Sequence, residues 1–330
     1  MEKAVQLSLD LSPAVSSHIE HGIIEIDNPC ASAEKNEEYD FGRLFVDCSS
    51  FEQRHNKNSM VILGDSLRTL KSMKNDSVNL IFADAPYNIG KNFGNNCDRW
   101  ENAQAYVDWC KEWIDECVRV LREDGTMYLM TATQHMPYLD VYVSEKYNVL
   151  CRIVWTYDSS GVQSRKMFGS LYEPILMFNK SAQSKYVFNH EDVMVEAKTG
   201  AKRKLIDYRK DPPQPYKSEK VPGNVWSFNR VRFKMDEYEN HPTQKPESLL
   251  ERIIRASSNI GDVVLDPFSG SFTTSAVAVR LGRVAVGIDM NEEYFEMGLR
   301  RTGVATEYNG KTLTKERVRK TNARSKYLRG

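Results

Sequence analysis

Short apolar runs that end at an acidic residue constrain the fold of this chain more than any other feature. Each run has the length of one buried strand, and a segment long enough for a helix separates it from the next. Four such runs, at 60–63, 78–83, 263–265 and 284–288, are followed by Asp65, Asp84, Asp266 and Asp289. Strands that alternate with helices are typical of a parallel sheet, so the sequence predicts an α/β fold with a doubly wound, mostly parallel sheet.

The segments between these strands carry the spacing of helices. After Trp100, apolar residues recur three and four positions apart, at Tyr106, Trp109, Cys110, Trp113, Ile114, Cys117, Val120 and Leu121. Gly125 then indicates a break before a strand at 127–130, and a further strand is predicted at 153–157. Other helices are predicted around 138–143, from Pro246 onward and over 273–281.

Composition excludes several classes of protein. The chain has 330 residues, of which 41% are hydrophobic and 27% are charged, and this excludes collagen, a coiled coil and long disorder. No apolar run approaches the roughly 18 residues of a membrane span, and Asp10 interrupts the N-terminal segment before a signal-like core develops. The six cysteines include no C-x-x-C pair, so reduced thiols are expected and no metal site is predicted. We therefore expect a cytoplasmic protein.

Charge is distributed unevenly, although 45 basic residues balance 45 acidic ones. Residues 1–57 carry 5 basic and 11 acidic side chains, whereas residues 158–235 carry 15 basic and 8 acidic ones. Residues 311–330 carry 8 basic side chains and a single acidic one, Glu316. Two basic blocks on a neutral chain indicate a polyanionic partner. From charge alone, solvated lysines on loops and a flexible tail are an equally good explanation.

The patterning divides the chain into five regions: 1–57, 58–157, 158–235, 236–305 and 306–330. The first has no sustained period and is polar and charged between Glu34 and Asp40, which indicates an N-terminal extension that is partly disordered. The second and fourth are predicted as the two parts of one α/β domain. The third is an irregular basic insert, because Gly, Pro, Lys and Arg become frequent and the Pro-rich segment 211–215 cannot be helical. The last is a basic tail.

The acidic strand ends converge on one place in the predicted fold. Carboxyl ends of parallel strands share one edge of a sheet, where ligands bind. Segment 263–271 predicts a strand, a tight turn at Gly270 and the start of a helix. It lacks the G-x-G-x-x-G pattern of dinucleotide sites, whereas main-chain groups and carboxylates such as Asp289 can hold an amino-acid tail joined to a ribose. Taken alone, the segment is equally compatible with an ordinary strand-to-helix turn.

A second site is predicted at Asp84-Ala85-Pro86-Tyr87. Pro86 fixes its own φ and biases Ala85 toward an extended backbone. The Asp84 carboxylate and the Ala85 carbonyl can each accept one N–H of a planar exocyclic amine, while Tyr87 stacks on its ring. A proline-containing turn with an exposed aspartate has the same sequence, so this tetrapeptide is weak evidence by itself.

Three motifs occur in a distinctive order: D-A-P-Y at 84–87, H-P-T-Q-K-P at 241–246 and D-P-F-S-G-S-F-T-T at 266–274. With them, residues 58–305 closely resemble the β class of S-adenosylmethionine-dependent amino-methyltransferases of DNA. The stretches W-T-Y-D-S-S-G-V-Q and P-P-Q-P-Y are most similar to solitary adenine methyltransferases of enteric bacteria, which implies a palindromic ATGCAT target. The resemblance also implies a Rossmann-like methyltransferase fold and methylation of N6 of a flipped-out adenine in double-stranded DNA.

The same resemblance implies a role for each motif residue. Asp84, Ala85, Pro86 and Tyr87 would hold the flipped base. Asp65 would meet the adenine amine of S-adenosylmethionine, and Asp289 its ribose. Lys245, with Thr243 beside it, would bind the methionine carboxylate, although a lysine in a predicted loop is usually solvated. The remaining cofactor contacts fall to Asp266, Phe268, Gly270, Ser271 and Thr273.

Two positions depart from the pattern of this family. Ala85 stands where proline is usual, and its carbonyl stays available while the loop loses stiffness, so a lower rate is expected. Phe272 stands where glycine is usual, and its bulk is expected to reshape the cofactor pocket.

The basic insert at 158–235 is predicted to recognise the DNA target. Phosphate contacts would give steep salt dependence, and base contacts would set specificity. The candidate DNA-binding residues are Lys202, Arg203, Lys204, Arg209 and Lys210. The tail around Arg317 to Arg324 either adds nonspecific contacts or is disordered, and disorder is the favoured interpretation. A palindromic target would suit a homodimer acting on the bacterial nucleoid, and the sequence identifies no restriction endonuclease partner.

Other activities stay open at this stage. Methylation of cytosine N4 uses the same chemistry, but that group commonly has serine in place of Asp84. The basic insert and H-P-T-Q-K-P argue against methylation of RNA or of a protein glutamine. A DNA-binding regulator with a decayed catalytic site is compatible with Ala85, and a nicotinamide oxidoreductase is disfavoured by the missing glycine fingerprint.

Overall fold

The computed structural model describes residues 38–49, 51–91, 98–158, 165–198 and 205–305, together with the backbone of two strands at 307–308 and 311–312. The expected N-terminal extension therefore lies outside the described residues as far as residue 37. Most of the basic C-terminal tail also lies outside them.

A nine-stranded sheet forms the centre of the described part of the chain. The strands are β1 (Glu52–His55), β2 (Ser59–Leu63), β3 (Val78–Asp84), β4 (Leu121–Met130), β5 (Asn148–Thr156), β6 (Tyr172–Asn179), β7 (Val195–Glu196), β8 (Ile206–Asp207), β9 (Gln214–Pro215), β10 (Glu219–Lys220), β11 (Val225–Ser227), β12 (Val263–Asp266), β13 (Val284–Asp289), β14 (Glu307–Tyr308) and β15 (Lys311–Thr312). The order in the large sheet is β1-β2-β13-β12-β3-β4-β6-β5-β11, and the other strands form three two-stranded ribbons.

Helices cover both faces of this sheet. They are α1 (Ser66–Ser72), α2 (Ala103–Val120), α3 (Met136–Lys146), α4 (Glu247–Ser257), α5 (Thr273–Arg280) and α6 (Glu292–Arg301), with short 3-10 helices at Phe41–Leu44 and His190–Val193. Side chains alternate along β3 as a strand requires. Ile81 and Ala83 pack with α1, α2 and α3, whereas Leu80 and Phe82 pack with α4 and α5. The three layers confirm the predicted doubly wound α/β fold.

The longest helix forms where the apolar spacing predicts it. Asn102 caps α2 by accepting the Ala105 N–H at 2.9 Å. The predicted face, with Tyr106 and Trp113, is buried in the core on one side of the sheet. The helix ends at Val120, because the next residue already belongs to β4.

Five neighbouring strands run parallel, which places their carboxyl ends on one edge of the sheet. These strands are β2, β13, β12, β3 and β4. Burial on both faces explains the apolar runs in these strands, which in β4 begin only after residue 124. The edge at which they end carries the acidic residues identified above.

One central strand was not predicted. Tyr172–Asn179, inside the segment expected to be irregular, forms β6 and pairs antiparallel with both β4 and β5. Its residues 175–178 are all buried. Frequent Gly, Lys and Arg on either side obscured this apolar run, and Pro174 weakens any strand prediction. Within the described residues, 158–235 is thus not a wholly irregular insert, since β11 also joins the sheet, parallel to β5.

The expected boundary of the N-terminal extension at residue 57 is also wrong. Phe41, Leu44 and Phe45 are buried in the main core, and β1 pairs antiparallel with β2. Asp40 caps the short helix that carries Phe41 and Leu44 by accepting the Gly42 N–H at 3.1 Å. The apolar segment is only one turn long, too short to show a period in the sequence.

Gly125 lies inside β4 rather than before it. A Cβ at this position would lie 2.8 Å from the backbone oxygen of Asn79 and 2.7 Å from Cδ1 of Leu121. The glycine therefore permits a close approach of β3 and β4 where their register shifts.

Candidate active site

The carboxyl ends of the parallel strands border a cavity of about 350 Å³. Four strand ends bring one acidic residue each to its wall. All the residues predicted to bind the base or the cofactor line this cavity: Asp65, Asp84, Ala85, Pro86, Tyr87, Thr243, Lys245, Asp266, Phe268, Gly270, Ser271, Thr273 and Asp289. The predicted convergence of separate motifs on one crevice is therefore present in the structure, whereas the role of each residue stays a prediction.

The turn after β12 brings its backbone close to the cavity. Gly270 has a φ of +49°, and a Cβ on it would lie 2.7 Å from Nε2 of His241. Its N–H donates to Oδ2 of Asp289 at 2.8 Å, and Oδ1 of Asp289 accepts the Asn291 N–H at 2.8 Å. Burial raises the pKa of Asp289 to about 6, against the opposing effect of these N–H donors. At neutral pH this carboxylate is ionised and can accept hydroxyl hydrogens.

Two further acidic residues in the wall are held by backbone N–H groups. Asp65 caps α1 by accepting the Arg68 N–H at 2.8 Å. Oδ1 of Asp266 accepts the Phe268 N–H at 3.0 Å. Burial raises the pKa of Asp266 to about 7. Both side chains are thus fixed in direction, and each keeps lone pairs for a ligand.

Asp84 lies in a cluster of charged and phenolic groups. Its Oδ1 accepts the Tyr87 hydroxyl at 2.6 Å, and its Oδ2 lies 2.5 Å from Nζ of Lys245. Glu173, on β6, brings Oε2 to 2.9 Å from the Tyr87 hydroxyl and 3.7 Å from Nζ of Lys245. The Lys245 ammonium also lies 5.3 Å from the centre of the Tyr87 ring. The resemblance gave Lys245 a role at the methionine carboxylate, and the structure adds that it is the counter-ion of Asp84.

Burial and mutual charge set the protonation of this cluster. Burial raises the pKa of Asp84, and Lys245 opposes this rise while Glu173 adds to it. Burial acts to lower the pKa of Lys245, but the Asp84 and Glu173 carboxylates outweigh it and raise the pKa. Burial, followed by the two carboxylates, raises the pKa of Tyr87 well above its ordinary value, so the phenol stays a donor.

Residues outside the predicted motif hold the loop that carries Tyr87. The buried Asp98 carboxylate accepts the backbone N–H of Tyr87 at 3.2 Å and that of Ile89 at 3.4 Å. The Tyr106 hydroxyl donates to the Pro86 carbonyl at 2.8 Å. These contacts restrain the loop that was expected to lose stiffness at Ala85. Asp98 was not identified from the sequence, and Tyr106 was predicted only as part of a buried helix face, because contacts between distant residues and a loop backbone leave no local pattern.

Phe272 does not reshape the cavity in the expected way. It is fully buried and packs with α6 rather than lining this cavity. A Cβ on Gly287 would lie 2.6 Å from its ring, and a Cβ on Gly298 would lie 2.8 Å from it. Two glycines elsewhere therefore make the space for this side chain. Its φ of 55° is in the left-handed region, which explains why glycine suits this position.

A second cavity, of about 300 Å³, adjoins the first across Tyr87 and Lys245, which line both. Aromatic rings from β5, β6 and three loops lie in its wall. Its lining includes Tyr87, Trp155, Tyr157, Tyr172 and Tyr238, with Lys91, Glu173 and Arg230 as charged groups. The Arg230 guanidinium lies 4.8 Å from the centre of the Tyr157 ring. A cavity lined by aromatic rings, with Tyr87 hydrogen-bonded to Asp84 in its wall, has the chemistry needed to hold a planar base.

The expected DNA-binding residues do not line either cavity where the structure describes them. Lys202, Arg203 and Lys204 lie outside the described residues. Arg209 donates to both carboxylate oxygens of Asp207, at 2.8 and 3.0 Å, and its neighbour Lys210 is exposed. An arginine already paired within the chain has less to offer a phosphate.

Among the described residues, no three acidic, histidine or cysteine side chains are grouped to hold a metal ion. None of the helices in the described ranges is long and apolar enough to cross a membrane.

Comparison with known proteins identifies the family. The DNA methylase family of N6 and N4 methyltransferases matches residues 78–300. The chain is 56% identical over 274 residues to the DNA adenine methyltransferase YhdJ of Escherichia coli K12, covering 83% of this chain and 92% of that protein. It is 34% identical over 267 residues to the type II methyltransferase M.HpaI of Haemophilus parainfluenzae, covering 79% and 78%. The chain therefore belongs to the N6/N4 DNA methylase family.

A solved structure supports the fold. The PvuII DNA methyltransferase, described as cytosine-N4-specific, superposes with a TM-score of 0.58 at 19% identity and covers 83% of this chain and 96% of that one. At this identity the likeness concerns the fold alone. It confirms the Rossmann-like methyltransferase architecture expected from the three motifs.

Proposed function

We propose that this protein transfers a methyl group from S-adenosylmethionine to N6 of an adenine flipped out of double-stranded DNA. The observation that carries the proposal is that Tyr87 and Lys245 line two adjoining cavities and both contact Asp84, which lines the first. One cavity has the donors and acceptors for an amino acid joined to a ribose, and the other has aromatic walls. The similarity to an enzyme named as a DNA adenine methyltransferase supports adenine as the base.

The residues of the first cavity fit S-adenosylmethionine. Asp289 and Asp65 are fixed carboxylates that can accept hydrogens from a ribose and from an adenine amine. The turn at Gly270 leaves room that any Cβ would fill. Lys245 and Thr243 line the same cavity. The Lys245 ammonium offers a positive charge for a carboxylate, and Thr243 offers a hydroxyl donor. S-adenosylmethionine, when bound, supplies an electrophilic methyl group on a positively charged sulfur.

Asp84 and the Ala85 carbonyl prepare the amine of the base. The lone pair of adenine N6 is delocalised into the ring, so the free amine is a poor nucleophile. Two acceptors that hold its hydrogens favour a pyramidal nitrogen and direct the lone pair toward the first cavity. The Asp84 carboxylate has about four acceptor positions, so it can take one amine hydrogen in addition to Tyr87 and Lys245. Preorganised charge and position then carry most of the rate, without a covalent intermediate on the protein.

We place the duplex over the mouth of the second cavity. Arg230 and Lys91 line this cavity and are positively charged groups near the proposed base position. The expected contacts from Lys202 to Lys204, Arg209 and Lys210 stay proposals. So do a homodimer on a palindromic target, the ATGCAT sequence and a place on the bacterial nucleoid in the cytoplasm.

Mass spectrometry of methylated DNA tests the proposal. Purified protein is incubated with S-adenosylmethionine and unmethylated bacterial DNA, the DNA is hydrolysed, and its nucleosides are identified. N6-methyladenine is the expected product, and sequencing of the same DNA gives the target. N4-methylcytosine would replace the proposal with the sister specificity. No methylation despite measurable cofactor binding would leave a DNA-binding protein without turnover.

A further inference from the structure

Glu173 is a charged residue in the reaction cluster to which neither the sequence motifs nor the relatives assign a role. It lies on β6, the strand that was not predicted, and its register partner on β5 is Trp155. Its side chain is 15% exposed and lines the second cavity. It does not appear in the wall of the first cavity as the described residues form it. Glu173 therefore belongs to the side of the site that the base would occupy.

The Tyr87 hydroxyl has two acceptors within reach but only one hydrogen to donate. Oδ1 of Asp84 lies at 2.6 Å and Oε2 of Glu173 at 2.9 Å. When the Tyr87 hydroxyl donates its hydrogen bond to Glu173, an acceptor position on Asp84 becomes available. Glu173 also shares the ammonium of Lys245, whose Nζ lies 3.7 Å from Oε2. The second carboxylate thus competes for both donors that hold Asp84.

We propose that Glu173 is a positioning residue. It accepts the hydrogen bond of the Tyr87 hydroxyl and shares the Lys245 counter-ion while Asp84 accepts a hydrogen bond from the amino group of the base. This inference rests on the proposed function. Tyr87 stays oriented as a wall of the second cavity, because its hydroxyl has an acceptor in either arrangement. Asp84 keeps a larger share of its acceptor capacity and its negative charge for the amine.

Charge around Asp84 makes the proposal measurable through pH. The groups that face it are Lys245 before α4, Glu173 on β6, Tyr87 on its own loop and Asp266 at the end of β12. Burial raises the pKa of Asp84, and Glu173 adds to the rise. Removal of the Glu173 charge therefore lowers the pKa of Asp84. The acid limb of kcat should move to lower pH if transfer needs an ionised Asp84.

The test compares Glu173→Gln with the wild-type full chain in steady-state methylation over a range of pH. Glutamine keeps the volume but loses the charge, so its amide oxygen competes more weakly with Asp84 for the Tyr87 hydroxyl and the Lys245 ammonium. We expect kcat to fall by about 10-fold or more and its acid limb to shift to lower pH. The Kd for S-adenosylmethionine should stay within about two-fold, because Glu173 does not line the first cavity. Glu173→Asp should recover part of kcat.

Matched variants separate the outcomes. Glu219→Gln removes an exposed carboxylate of β10 that lines neither cavity, and it should leave both kcat and the acid limb unchanged. Normal kcat with an unmoved acid limb in Glu173→Gln would overturn the inference, even if the melting temperature fell. A raised KM for DNA with normal kcat would also overturn it, since it would indicate a binding contact only. The wild-type reaction shows separately whether the proposed function holds.

Discussion

The two cavities that share Tyr87 and Lys245 are built in different ways. The first is formed by strand ends and the loops that follow them, and every residue predicted for it lies in a short motif or just after an apolar run. The second is formed by residues far apart in the sequence, such as Tyr157, Glu173 and Arg230, which β5, β6 and a later loop bring together. A site formed at the ends of parallel strands can therefore be predicted from the local sequence. A site formed by antiparallel pairing of distant segments cannot.

The largest expected effect on turnover is that of removing the Asp84 carboxylate. Asp84→Ala should lower turnover by about 100- to 1,000-fold, because the amine loses its charged acceptor. The Kd for S-adenosylmethionine should change only about a few-fold, since this carboxylate serves the base. Single-turnover methylation and equilibrium cofactor binding measure the two quantities.

Loss of Asp84 also leaves the buried Lys245 without its nearest counter-ion, so folding needs its own control. Asp84→Asn keeps the shape and one acceptor oxygen, and thermal unfolding of both variants identifies any loss of structure. Near-normal turnover in folded Asp84→Ala would remove Asp84 from the proposed role.

Gly270 tests the cavity that was predicted from local motifs. A Cβ there would lie 2.7 Å from Nε2 of His241, so Gly270→Ala should raise the Kd for S-adenosylmethionine by about 10-fold or more. Isothermal titration measures it. Gly303→Ala is the matched control, because Gly303 has a φ of +72° and an added Cβ would meet no atom within 4 Å. Equal cofactor affinity in both variants would contradict this prediction. It would show that Gly270 is needed for the backbone turn and not for cofactor binding.

The strand ends and their acidic residues could be predicted from the sequence, whereas contacts between distant segments could not. The parallel strands and the convergence of Asp65, Asp84, Asp266 and Asp289 follow from short apolar runs and their ends. Phe272 could not be placed, because the space for its ring depends on Gly287 and Gly298, which are distant in sequence. Glu173 could not be found either, since its contacts depend on the pairing of a strand hidden in a basic segment.

The pH dependence of cofactor binding sharpens the assignment of Asp289. Burial raises its pKa to about 6, so the group is a carboxylate above that pH and a neutral acid below it. Because only the carboxylate accepts hydrogens with both oxygens, the Kd for S-adenosylmethionine should rise as the pH falls below 6, by at most about 10-fold per pH unit. Asp289→Asn should bind more weakly and lose this step. Burial raises the pKa of Asp266 to about 7, so a step near pH 7 that persists in Asp289→Asn is expected from Asp266. Asp84, whose pKa burial also raises, is the other candidate, and Asp84→Asn distinguishes the two.

The smallest expected effect concerns the path of the DNA. Arg230 lines the second cavity, whereas Arg209 is paired with both oxygens of Asp207. Each phosphate contact adds about 0.9 to the slope of log affinity against log salt concentration. Arg230→Ala should therefore lower this slope by about 0.9, and Arg209→Ala should change it less. Fluorescence anisotropy with duplex DNA at several salt concentrations measures both. The opposite ranking would move the duplex from the aromatic cavity to the ribbon of β8 and β9, where the sequence alone had placed it.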